Sequence, residues 1–238
     1  MLDYKIILSQ FPKWTDNSRD YYKYLVCGNE GIFATDFSRC IYTKSYTMDD
    51  YRLYDEAGTN HTSEIKLPKN TDSQQFIRQQ LFGTLNKILD LKNESVSSKR
   101  VIFISLNNLR LIRQTLTYMT SINKKNLFNP VYIKVTNGKI YFMVYTFESV
   151  DINVCFDIDL DMEWEGFFNA NYIRDFVELL IASKTLDFDL RILKATVPDK
   201  TGTIPGLFVK AKDFIAIING LRPSNQLMEK YLGALNDE

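Results

Sequence analysis

Residues 157–180 read DIDLDMEWEGFFNANYIRDFVELL. Asp157, Asp159, Asp161, Glu163 and Glu165 alternate with Ile158, Leu160, Met162 and Trp164, the period-2 pattern of a strand with one wet and one dry face. A few residues later the period changes. Asn169 or Asn171 can cap a helix that runs through YIRDFVELLIAS. The five acids also raise a chemical alternative, a carboxylate cluster holding Mg²⁺ or Ca²⁺ in a metal-dependent enzyme. Same-face residues of one strand sit ~7 Å apart, too far for neighbouring carboxylates to share a small ion easily. The alternation therefore favours a solvated strand face over a catalytic site.

Upstream, VYIKV (131–135) and KIYFMVYTF (139–147) flank Asn137-Gly138, which supplies the positive φ angles of a type I′ hairpin turn. Before them, the strand-like VIFI (101–104) leads to Ser105, a cap for a helix whose Leu109, Ile112, Leu116 and Met119 form one face and which ends near Asn123. Downstream come LDFDLRI (186–192), a turn at PDKTGTIPG (198–206), LFVKA, and FIAIING (214–220), whose unbroken apolarity fits a buried strand or a helix equally well. The first half carries strand signals at 21–27, 31–35 and 40–47, a polar interruption at 55–64, and a helix from Ser73 to Leu91 with Ile77, Leu81, Leu85 and Ile88 as its stripe and Asp72 as its cap. No opening helix is apparent in LSQFPKWTDNSRD. With NESVSSKR (93–100) as a linker, the chain divides into two α+β domains, 1–98 and 99–222, and a tail at 223–238 expected to form a short amphipathic helix.

Twenty-nine basic residues balance 29 acidic ones, so total charge favours no class of partner and distribution must decide. Cys27, Cys40 and Cys155, an odd number with apolar neighbours, read as buried free thiols of a reducing cytoplasm. No apolar run approaches the ~18 residues that span a bilayer. His61 is the one histidine, and no CxxC pair, P-loop, dinucleotide fingerprint or nucleophile elbow occurs. The expectation is a non-enzymatic chain without a metal or cofactor. Opposite the buried helix stripes lie Arg110, Arg113, Gln114 and Thr117, with Lys124 and Lys125 just beyond; Arg78 and Lys87; and Arg174 with Lys184. Such faces can contact phosphates without reading sequence, or can be ordinary solvated surfaces. The cluster Tyr21-Tyr22-Lys23-Tyr24 could stack bases, but its strand-like setting favours packing.

The order of these elements and several of their words resemble the bacterial beta sliding clamp, the processivity factor of the replicative polymerase. Ala34-Thr35-Asp36-Phe37-Ser38-Arg39 is similar to the family's ATDG-x-R stretch. GFFNANYIRDFVELL (166–180), NPVYIKVTNGKIYFMVYTFES (129–149) and FIAIINGLR (214–222) resemble its strand-to-helix phrase, the preceding hairpin and the closing strand. The resemblance implies sheets outside and helices lining a hole, duplex DNA passing through it, and a homotrimer where the chain has length for two domains. It implies a hydrophobic pocket for DNA polymerase and other peptides, with Thr35, Phe37, Ser38, Arg39 and Cys40 on one side and Ile217, Ile218 and Leu221 on the other. Phe37 stands where the family has Gly, and Asn219-Gly220 where it has Met-Pro, so the pocket is expected to be retuned. The alternative is a monomeric adaptor on the same fold that does not encircle DNA. A phage-like origin accords with the two-domain length.

Overall fold

The computed structural model describes residues 2–18, 21–64, 66–67, 69, 71–86, 89, 96–122, 130–145, 151–157, 163–196 and 203–222. The expected tail at 223–238, Ile88 and Leu91 of the predicted helix stripe, and the cationic positions Lys87, Lys124 and Lys125 lie outside them.

The second half is built from one unit used twice. Strand β5 (Val96–Phe103), helix α3 (Leu106–Ile122) and strands β6 (Pro130–Thr136), β7 (Lys139–Tyr145) and β8 (Asp151–Asp157) form the first copy. Strand β9 (Trp164–Asn169), helix α4 (Ala170–Ser183) and strands β10 (Asp187–Thr196), β11 (Thr203–Lys210) and β12 (Ile215–Asn219) form the second. The opening strands change places, so one sheet runs β8-β7-β6-β9 and β5 pairs with β10 of the other. Local chemistry sets the boundaries. Ser105 Oγ accepts from Asn108 N at 3.1 Å, Asn169 Oδ1 accepts from Asn171 N at 2.9 Å, and α4 stops at Lys184 in the left-handed region. Asn137 and Gly138, both at positive φ, turn β6 into β7 as a two-residue hairpin.

The first half opens with helix α1 (Tyr4–Gln10), capped by Asp3, and a 3₁₀ turn at Phe11–Trp14, where no helix was expected. Its signal is short, Ile7, Phe11 and Trp14 at helical spacing, all fully buried. Strands β1 (Leu25–Gly28), β2 (Gly31–Thr35), β3 (Arg39–Thr43) and β4 (Arg52–Tyr54) follow, then helix α2 (Ser73–Phe76), capped by Asp72 and continued by a π-helical turn at Ile77–Phe82. Strand β3 pairs with β12, joining both halves into one eight-stranded antiparallel sheet, β4-β1-β2-β3-β12-β11-β10-β5.

Strand alternation then divides the interior into two cores. Leu25, Cys27, Ile32, Ala34, Ile41, Val209, Ala216 and Ile218 face α1, α3 and α4. Val26, Phe33, Cys40, Tyr42, Phe208 and Ile217 face α2. Helices thus cover both faces of the joined sheet.

Three expectations are corrected. Residues 96–100 of the supposed linker are the first five of β5, because the Val-Ser-Ser-Lys-Arg backbone finds ladder partners on β10 despite its polarity. The acid run is not one strand. Asp157 ends β8 and Glu165 lies in β9, the two opposite edges of the four-stranded sheet, about three strand spacings or ~14 Å apart. Asp157, Glu163 and Glu165 are exposed while Phe156 and Trp164 turn toward the core, so the wet-and-dry reading holds at those positions; residues 158–162 lie outside the described set. Cys155 is exposed rather than buried, since it has the opposite strand phase from Phe156.

Candidate nucleic-acid and peptide interfaces

Helices α3 and α4 pack side by side on the same face of the sheet as α1. The stripe Leu109, Ile112, Leu116 and Met119 is buried as its spacing requires. Arg110, Gln114 and Thr117 are exposed and Arg113 is half-buried. Two apolar side chains that the cationic reading missed share this face: Leu111 is 49% exposed and Tyr118 57%. They lie seven residues apart, two helical turns, and are visible as apolar positions off the stripe.

The other cationic positions divide. Arg174 is half-buried, reaching Thr120 Oγ1 at 3.4 Å and Asp175 Oδ1 at 3.5 Å, which ties it between the two helices. Lys184 is exposed at the end of α4. Arg78 is exposed on the helix that covers the other face of the sheet, so the fold does not bring it together with Arg110, Arg113, Arg174 and Lys184. The cause is the second core: Phe76, Ile77, Leu81 and Phe82 pack on Val26, Phe33 and Phe208 and hold α2 there.

The pocket residues inferred from the family do converge, at the seam where β3 meets β12. Cys40 is paired with Ile217 and Arg39 with Ile218. The turn before β3 is held by its own side chains. Asp36 Oδ1 accepts from Ser38 N at 3.0 Å and Arg39 N at 2.9 Å; Thr35 Oγ1 accepts from Phe37 N and donates to the Arg39 carbonyl at 2.7 Å. Phe37, at the family's Gly position, adopts φ +69°, a conformation costing a side-chain-bearing residue about 1–2 kcal/mol. Its ring packs edge-on against Tyr22 at 4.3 Å. Asn219, at the Met position, donates from its backbone to the Ser38 carbonyl at 2.8 Å and from Nδ2 to the Phe37 carbonyl at 3.2 Å. Leu221 donates its N–H to the Phe167 carbonyl at 2.7 Å.

This geometry corrects the pocket in two respects. Ile217 and Ile218 are consecutive on a strand and face opposite cores, so they cannot line one cavity. Thr35, Arg39, Cys40, Ile217 and Ile218 are all buried, leaving Phe37, Ser38 and part of Leu221 at the surface. Arg39 is 7% exposed and fully engaged. Its Nε meets Asp36 Oδ2 at 3.0 Å, its Nη1 meets Asp175 Oδ2 at 2.6 Å, and its Nη2 donates to the Lys13 carbonyl. The guanidinium lies 4.2 Å from the Tyr172 ring centroid and 5.1 Å from that of Trp14. Burial, with a contribution from Asp36, raises the Tyr172 phenol above its ordinary range, and burial pushes the Cys40 thiol up to about 12. Trp14, Tyr172 and Asp175 were missed as site residues. An acid inside the apolar phrase DFVELL was the available signal, since a buried carboxylate requires a partner.

Among the described residues, no group of three His, Cys, Asp or Glu side chains could hold a metal ion, and no helix is long and apolar enough to cross a membrane.

No protein-family model and no curated protein matches the chain. Solved structures do. A putative DNA polymerase III beta subunit from Eubacterium rectale matches with TM-score 0.61 at 14% identity, over 92% of this chain and 63% of its own. The DNA polymerase III beta chain of Streptococcus pneumoniae matches with TM-score 0.57 at 15% identity, over 92% and 62%. The Helicobacter pylori beta clamp, solved with a DNA ligase peptide, matches with TM-score 0.56 at 11% identity, over 92% and 62%. The chain therefore spans somewhat under two thirds of the length of these structures. Likeness at this level of identity concerns the fold, and the fold of this chain is that of the bacterial beta sliding clamps.

Proposed function

We propose that this chain is a sliding-clamp-like processivity factor that encircles duplex DNA as a ring oligomer, three copies for two domains each, and tethers a DNA polymerase. The observation that carries the reading is the side-by-side packing of α3 and α4 with Arg110 exposed and Arg113 half-buried at the flank of the buried stripe, together with the clamp fold. A diffuse cationic helix face holds a phosphate backbone without fixing a register, which is what sliding requires. The polymerase peptide would dock on the surface left by Phe37, Ser38 and Leu221. The test is retention on a closed DNA circle, with solution mass measured by sedimentation. Arg110→Glu with Arg113→Glu should shorten retention and lower the salt dependence of binding by about two phosphate contacts, leaving melting unchanged. A strictly monomeric mass over a wide concentration range sinks the ring.

The second reading, a monomeric clamp-fold adaptor, is favoured by one observation. The second half offers β8 as a free sheet edge, seven residues long. Among the described residues the first half holds a single sheet whose free edge is β4, three residues long. A head-to-tail ring would have to close on that short edge. Monomeric mass with binding of a polymerase-derived peptide at Phe37 would establish this reading.

A further inference from the structure

At the end of the seam away from Phe37, the turn after β3 and the turn between β11 and β12 enclose a cleft of about 620 Å³. Its rim carries Lys44, Lys210 and Lys212, all exposed. Among the described residues none of the three ammonium groups has an ion-pair or hydrogen-bond partner. Asp213 is the one acid in the lining, and its carbonyl accepts from Thr43 Oγ1, which braces the two turns against each other. Three lysines against one aspartate leave a net positive rim. The floor is apolar: Ala211 and Phe214 are buried, and Ile215 is half-buried. The volume lies within the roughly 300–1,000 Å³ range of ordinary ligand sites.

We propose that this cleft binds an acidic peptide segment of a partner protein, with an aliphatic side chain on the floor and carboxylates against Lys44, Lys210 and Lys212. Charge complementarity selects an anionic occupant, and the walls select a peptide over nucleic acid. Binding of bare single strands relies on aromatic faces for base stacking. The two rings in the lining offer no such face: Phe214 is 3% exposed, and Tyr42 is 6% exposed and anchored by its hydroxyl to the Glu30 carbonyl at 2.6 Å. Flexible ammonium groups, unlike a planar guanidinium fork, meet scattered carboxylates without demanding one geometry. The site is at the opposite end of β3 and β12 from the Phe37 turn and shares no residue with the α3 face, so it stands whether or not a ring encloses DNA.

The test uses the full chain and three fluorescent probes: a peptide of alternating Asp, Leu and Glu, its Asn, Leu and Gln isostere, and an oligothymidine of similar length. The acidic peptide should bind at least about tenfold more tightly than either of the others, with an affinity that falls as salt screens the rim. Lys44→Glu with Lys212→Glu should weaken it at least about tenfold while leaving melting and retention on DNA circles unchanged. The milder Lys44→Gln with Lys212→Gln pair tests the same point should charge reversal disturb the fold. Undetectable binding of the acidic peptide, equal binding of the isostere, equal binding by both variants, or preferential binding of oligothymidine would each overturn the proposal.

Discussion

Arg39 makes contacts to three segments that are far apart in sequence: the Asp36 turn, the Lys13–Trp14 turn and helix α4 through Tyr172 and Asp175. Truncating it would leave two carboxylates in a largely buried setting without their cation. Arg39→Ala should therefore cost about 3–5 kcal/mol in urea unfolding, and Arg39→Lys should recover little, because a point charge cannot meet both acids and lie flat between two rings. His61 offers a different measurement. Its Nδ1 meets Glu64 at 2.8 Å and its Nε2 meets Asp55 at 3.0 Å, and these hydrogen bonds raise its pKa above 6.5. The raised value means that the folded state binds the proton more tightly. The ion pairs are then fully present below about pH 6.5 and are lost as pH rises through the folded pKa. An NMR titration should find the midpoint above 6.5 and see it fall in Asp55→Asn. The sequence showed the Thr-Asp-x-x-Arg phrase plainly but not the destination of its arginine, since the partners are 26 and 136 residues away.

At the scale of elements, what was legible depended on whether the decisive chemistry is local. The Asn-Gly hairpin, the caps at Asp72, Ser105 and Asn169, and the buried stripe of α3 follow from residues within one turn of each other, and the structure has them all. Helix α1 was not legible because its seven residues are too few for a sustained stripe, and packing of Ile7, Phe11 and Trp14 holds it and the turn that follows. Strand β5 was not legible because its polar residues are recruited by pairing with β10. Strand phase gives a direct test on β8: Cys155 faces out, while Cys27 and Cys40 are buried with thiols raised to about 12. A thiol reagent should modify one cysteine per native chain rapidly and the other two only on unfolding.

Over the whole molecule, the pairing of β3 with β12 makes one sheet out of what the sequence divides into two domains. The expected division rests on each half having its own helices and strands; the fusion is not legible, because no local pattern specifies a pairing partner in the other half. It has a measurable result. Trp14 sits at the joint and Trp164 in β9 of the four-stranded sheet, and both pack in the one apolar core that draws residues from the two halves. Denaturant transitions followed by tryptophan fluorescence and by far-ultraviolet circular dichroism should coincide. Two separated steps would mean that the halves unfold independently.

The same seam bears on how the chain is made. The Asn219 side chain and the Phe37 carbonyl that it holds are 182 residues apart. At roughly 5–20 residues per second, a ribosome exposes the edge of β3 for about 10–35 s before its partner strand is synthesised. During that interval β4, β1, β2 and β3 form a nascent sheet whose β3 margin, five residues that are all buried in the finished fold, lies open to pairing with another chain. Successful production therefore depends on keeping nascent chains apart until the last strand arrives, and slower elongation after β3 should lower the yield of folded protein without altering the stability of what does fold.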